Sequence, residues 1–153
     1  MELYRIAHKL YADLEGIGGI SYSGRWHNAG QRVVYLSERA SLCAWEKFVQ
    51  YESVDKIPLE LVLMTIFVSK PSIIEIPETK LIKGWNNFPH LKQTMDYGSD
   101  FLKDNNCLLL KVPSAVIPSE YNYILNPKHP QFVKCKITNI VPFKFDKRIK
   151  NNR

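Results

Sequence analysis

The sequence predicts an α+β domain, and three observations carry that prediction. Several short stretches have strand patterns, notably the apolar run at residues 61–68, broken only by Thr65. Helical periodicity is confined to a few segments. No internal repeat or low-complexity linker divides the chain, and 153 residues with 45% hydrophobic content suffice for one domain that buries its core without disulfides or metal.

Taken in order, residues 3–6 read as a short opening strand. Gly16, Gly18, Gly19 and Gly24 then form a loop in which backbone can approach a ligand closely, and this loop delivers Arg25. Residues 33–36 are β-branched and aromatic, hence a strand, and Ser37 or Ser41 is placed to cap a helix running to about Tyr51. On that helix Leu42, Trp45 and Val49 form one stripe, with Lys47 and Gln50 pointing away and Glu46 beside the stripe.

Residues 59–68 have the nearly unbroken apolar character of a central strand, and residues 73–76 form a second short piece. Residues 80–101 show little strand pattern and read as loop plus a short helix. Residues 108–112 are a buried strand ended by Pro113, and residues 122–125 lead into the turn Asn126-Pro127. Val133, Cys135 and Ile137 alternate with Lys134, Lys136 and Thr138 as a half-buried strand, and Val141, Phe143 and Phe145 repeat the period of two.

Composition excludes several classes. The first fifteen residues include Glu2, Arg5, His8, Lys9, Asp13 and Glu15, which leaves no apolar core of a secretory signal, so a cytoplasmic protein is expected. The longest apolar run is far below the roughly 20 residues that cross a bilayer. Cys43, Cys107 and Cys135 are odd in number and lack C-x-x-C pairing, and read as reduced core thiols. The four histidines, His8, His27, His90 and His129, lack metal-hydrolase spacing, so no metal site is expected.

The net charge of +6 suggests nucleic acid at first. Lys144, Lys147, Arg148, Lys150 and Arg153, offset by Asp146, supply +4 of it from the last ten residues, which suits a solvated tail or an acidic partner better than a DNA groove. Phosphate-loop, dinucleotide-fingerprint and serine-hydrolase motifs are absent from the sequence.

Residues 24–48 nevertheless set Arg25, Tyr35 and Glu46 along one turn-strand-helix unit. An arginine fork clamps phosphates, a tyrosine stacks on rings, and a carboxylate stabilises a cationic sugar, a combination suited to a nucleotide with a labile glycosidic bond. By spacing alone the blander readings come first: a surface ion pair for Arg25, a strand core residue for Tyr35, a solvated helix position for Glu46.

Six ordered motifs add specificity: YRI at residues 4–6, GRWHNAG at 24–30, VVYLS at 33–37, SLCAWE at 41–46, VPSAV at 112–116 and NYILNPKHPQF at 122–132. In this order and spacing, down to PFKFDKRI at 142–149, the chain resembles the RES domain family, the toxin half of bacterial RES–Xre toxin–antitoxin pairs. The resemblance implies a compact single α+β domain, residues 1–153, with a mixed, mostly antiparallel sheet similar to the ADP-ribosyltransferase fold. It also implies a toxin that consumes NAD as substrate, with no cofactor.

The family's active site falls on Arg25, Tyr35, Glu46 and Ser114. Glu46 is the expected stabiliser of the developing cation and Arg25 the clamp for pyrophosphate or ribose. Tyr35 is expected against the nicotinamide or its ribose, and Ser114 either on the ligand or holding the glutamate. Where the commoner family pattern has asparagine after the tryptophan, this chain has His27. The implied partner is an Xre-type helix-turn-helix antitoxin that oligomerises with the toxin and blocks its pocket, with no direct nucleic-acid binding by this chain. The acceptor stays open between water, phosphate and a protein side chain, and the rival class is a non-enzymatic binding module with a basic tail.

Overall fold

The apolar run at residues 61–68 builds strand β3 (Leu61–Val68), which pairs antiparallel along the whole of β1 (Glu2–His8) in the computed structural model, where residues 1–149 are described. The remaining strands are β2 (Val34–Ser37), β4 (Ile73–Glu75), β5 (Leu109–Pro113), β6 (Tyr121–Leu125) and β7 (Cys135–Phe143). They form one seven-stranded sheet in the order β4-β5-β6-β2-β1-β3-β7. All pairs are antiparallel except β4 with β5, so the sheet is mixed and mostly antiparallel, as expected. Lys150 and Arg153 of the basic tail lie outside the described residues.

Period-two alternation sorts side chains onto two faces. Leu3, Val34, Leu36, Met64, Ile66, Leu109, Tyr123 and Leu125 pack together on one. The other carries Val33, Leu110, Val112 and Ile124 toward one end, with Ile6 and Leu61 toward the other. The helices α2 (Ala40–Phe48) and α3 (Lys92–Asp104) contribute Cys43 and Leu102 to this second face. The site is built there.

Several sequence expectations are corrected. Neither Ser37 nor Ser41 caps α2: Arg39 holds the cap position without a side-chain bond, because Ser37 ends β2 and turns its hydroxyl to Asn122 across the sheet. The buried side of α2 is Leu42 and Cys43, whereas Trp45 and Val49 are 48% and 42% exposed. Leu42 belongs to both possible stripes. The small Cys43 allows close approach to Ile6 and Leu61, while Trp45 packs sideways on Phe48.

The helix expected to be short within residues 80–101 is the 13-residue α3, reaching Asp104 and ending on Asn105 at φ 53°. Its inner face includes Thr94, Gly98 and Ser99, which weaken the apolar pattern: Thr94 bonds back to the Leu91 carbonyl, and Gly98 and Ser99 face polar backbone of the 24–30 segment. Val133 lies in a 3-10 turn and is exposed, so the two expected C-terminal strand pieces are one strand, β7, beginning at Cys135 and ending before Phe145. The glycine loop holds a single helical turn, α1 (Gly18–Ser21). All three cysteines are free, but Cys107 and Cys135 are half-buried and only Cys43 is a core thiol.

Gly98 marks where α3 lies directly on the motif loop, since a Cβ built there would sit 1.9 Å from the Trp26 carbonyl oxygen. Gly98→Ala is therefore expected to push α3 off the loop and to cost about 1–3 kcal/mol in urea denaturation, as overpacking does. An unchanged midpoint would mean that α3 has room to spare.

Candidate active site

Glu46 follows the buried Leu42 and Cys43 by one turn, which sets its carboxylate over the sheet end where β5 gives way to Ser114. Ser114 is fully buried. Its Oγ accepts the backbone N–H groups of Val116 at 3.0 Å and Ile117 at 2.9 Å, so its single proton is left to donate to Glu46 Oε1 at 2.7 Å. Asn122 Nδ2 donates to the same Oε1 at 2.5 Å, and Ser37 Oγ donates to Asn122 Oδ1 at 2.7 Å. Two donors thus hold one carboxylate oxygen. Oε2 has no hydrogen-bond partner among the described residues.

Tyr35 shares the face of Ser37 on β2. Its hydroxyl accepts the Trp26 N–H at 3.1 Å and lies 2.8 Å from His27 Nδ1. His27 Nε2 stands 2.7 Å from the Tyr22 carbonyl, which only accepts, so the ring proton sits on Nε2 and Tyr35 donates to Nδ1. Burial pushes the Tyr35 phenol up and the His27 imidazole down, which keeps both neutral near pH 7. Gly24 leaves space for this pair, since a Cβ there would be 2.7 Å from the Tyr35 hydroxyl.

Arg25 Nη1 donates to the carbonyls of Trp85 and Asn87, each at 2.8 Å, and so fastens the loop before α3. Burial pulls the guanidinium below the usual arginine value, opposed by the nearby charge of Glu46. Nε and Nη2 make no hydrogen bond among the described residues. His90, on the same loop, has a buried Nδ1 without a hydrogen-bond partner among the described residues, and burial and the charge of Arg25 push its pKa down.

Of the expected four, Glu46 and Ser114 are in direct contact and Arg25 lies within electrostatic reach of Glu46 and Tyr35, while the Tyr35 hydroxyl is engaged by the Arg25 loop itself. Sequence reasoning missed Asn122, Ser37 and Ser99. The first two lie inside recognised motifs, NYILNPKHPQF and VVYLS, but their role depends on strand register. Ser99 accepts from the Asn28 backbone at 2.8 Å and tethers the motif loop to α3. A cavity of about 240 Å³ beside α3, lined by Ile74, Tyr97, Phe101 and Leu110 among others, includes none of the four. Among the described residues no group of three or more His, Cys, Asp or Glu is arranged to hold a metal, and no helix is long and apolar enough to cross a membrane.

Comparison with known proteins agrees with this architecture. The RES domain family model matches residues 2–146. The chain is 38% identical over 138 residues to Toxin Res of Pseudomonas putida, covering 90% of this chain and 92% of that protein. Toxin Res of Yersinia enterocolitica is 32% identical over 98% of this chain and 100% of its own length. Prs ADP-ribosylating toxin of a Sphingobium species is 29% identical, covering 90% and 86%. A chain from the crystal structure of the M. tuberculosis MbcT–MbcA toxin–antitoxin complex has the same fold, with a TM-score of 0.75 at 16% identity over 93% of this chain and 83% of that one. Fold and sequence together define a single α+β domain of the kind these toxins share. More particularly, the chain belongs to the RES domain family.

The buried histidine gives a pH prediction. Its folded pKa is depressed, so the unfolded chain binds the proton more tightly, and the stability carried by neutral His27 is present above about pH 6.5 and is lost as pH falls toward the folded value. Thermal melts at about pH 7.5 and about pH 5 should show a shallower acid decline for His27→Gln than for the unmodified protein. His90 contributes with the same sign. Parallel declines would show that His27 is not neutralised by the fold.

Proposed function

We propose that this protein is the toxin of a toxin–antitoxin pair, acting in the cytoplasm, and that it cleaves the nicotinamide–ribose bond of NAD and so depletes it. The observation that carries this reading is the Glu46 carboxylate, with Oε1 fixed by Ser114 and Asn122 and Oε2 without a hydrogen-bond partner among the described residues. When the glycosidic bond breaks, its electron pair leaves with the nicotinamide nitrogen and the ribosyl carbon becomes oxocarbenium-like. A preorganised negative oxygen stabilises that centre without reorganising. Water or phosphate then adds to the carbon through oxygen and releases a proton.

Arg25 suits the pyrophosphate, because one amino group is committed to the 85–87 carbonyls and the rest of its fork is unspent. Tyr35, locked against His27 and the Trp26 amide, offers a rigid ring rather than a mobile hydroxyl. Ser114 acts through Glu46. A second reading, transfer of ADP-ribose to a protein, is favoured by the similarity to a relative named an ADP-ribosylating toxin. The similarity in fold to a chain solved in a toxin–antitoxin complex supports a cognate antitoxin, which we place in the Xre helix-turn-helix class and expect to cover this site.

Incubation of the purified protein with NAD, with and without phosphate or lysate, should release nicotinamide; no release under any condition would sink the enzymatic reading. Glu46→Gln keeps the size and removes the charge, and should lower release about 10²- to 10³-fold with an unchanged melting temperature. Arg25→Lys should also fail, since an ammonium spent on the two carbonyls has no second, coplanar amino group to offer a phosphate.

In cells, expression of the chain alone should arrest growth with loss of NAD, and co-expression of the helix-turn-helix antitoxin should restore both. Arrest with NAD unchanged would favour protein modification.

A further inference from the structure

Asn122 sits in the middle of the sheet, opposite Ser37 on β2 and Val112 on β5, with its side chain reaching up to α2. A carboxylate only accepts hydrogen bonds, so the Asn122 amide must turn Nδ2 to Glu46 and Oδ1 to Ser37. Ser37 is 4% exposed, and its proton goes to Oδ1, which fixes that orientation of the amide. The chain of hydrogen bonds therefore runs from Ser37 through Asn122 to Glu46 Oε1, where it meets Ser114.

We infer that Asn122 is a positioning residue for Glu46, oriented by Ser37, which fixes Oε1 so that Oε2 faces the reacting sugar. This rests on the NAD-cleaving reading. With Ser114 alone the carboxylate could turn about its terminal bond while keeping one hydrogen bond. With Asn122 bonded to the same oxygen from a different strand, turning breaks two. The alternative is that Asn122 merely fills the space between Ser37 and α2. The two differ in what an aspartate would do there, since it has the size of asparagine but no donor.

The test uses the full chain carrying Asn122→Asp, Asn122→Ala or Ser37→Ala, with steady-state NAD cleavage and thermal melts. Both Asn122 variants should lose roughly 10- to 100-fold in kcat, the scale of a misplaced catalytic group. KM for NAD should stay within about 2-fold, because a group acting through Glu46 does not bind substrate. Ser37→Ala should lose less, and Asn122→Ala should cause no further loss in a Glu46→Gln background. Wild-type kcat in Asn122→Asp, a change confined to KM, or additive losses with Glu46→Gln would overturn the inference.

A second readout needs no activity. In side-chain amide NMR spectra, one Asn122 proton should lie downfield of its partner and return in Glu46→Ala. If the unmodified protein releases no nicotinamide but shows this signature, the NAD reading fails while the Asn122–Glu46 link stands. Absence of the signature removes the link whatever the activity.

Discussion

The register between β2 and β6 sets Ser37 opposite Asn122 and Tyr35 opposite Ile124, and the geometry around Glu46 depends on it. A slip of one residue would turn each of these side chains to the other face of the sheet. Apolar neighbours hold the register: Val34 faces Leu125 and Leu36 faces Tyr123 on the opposite side, all buried. The same packing that stabilises the sheet therefore delivers two polar side chains under α2. Because Ser37 and Ser114 are nearly inaccessible, their hydroxyls must find partners within the protein, and the partners available lead to one carboxylate oxygen.

A second constraint acts on the loop that carries Arg25. Residues 24–31 have almost no regular structure of their own, apart from a single bridge between Gly24 and His27. They are held from both sides: the Tyr35 hydroxyl receives the Trp26 amide, and α3 supplies Ser99 to the Asn28 amide and Asp96 to its side chain. Gln31 adds a bond to the Ser99 carbonyl. Gly98 permits this contact because no side chain stands between helix and loop. Arg25 in turn fastens the next loop through Trp85 and Asn87, and the Trp26 and Trp85 rings lie 6.1 Å apart over the same core. The guanidinium thus joins two segments through Nη1 while Nε and Nη2 make no hydrogen bond among the described residues, which leaves a planar pair of donors that a lysine lacks.

His27 follows Trp26 in the GRWHNAG motif, where the family resemblance predicts asparagine. It does not disturb the framework: its ring spans from the Tyr22 carbonyl to the Tyr35 hydroxyl and fixes the tautomer in doing so. Tyr35 is consequently tied to the loop beside it.

The sequence by itself determined the α+β class, the β1, β2, β3, β4 and β5 strands to within a residue or two, and, through ordered motifs, the family together with Arg25, Tyr35, Glu46 and Ser114 as candidates. These follow from local periodicity and from short strings of residues, which need no knowledge of distant neighbours. Only the tertiary structure decided that α2 buries Cys43 rather than Trp45, that α3 extends to Asp104, and that Val133 lies in a turn before β7. It alone decided that Ser114 and Asn122 share one oxygen of Glu46, across separations of 68 and 76 residues. Hydrogen bonds of that reach depend on strand register and helix rotation, and a period of 2 or 3.6 carries neither.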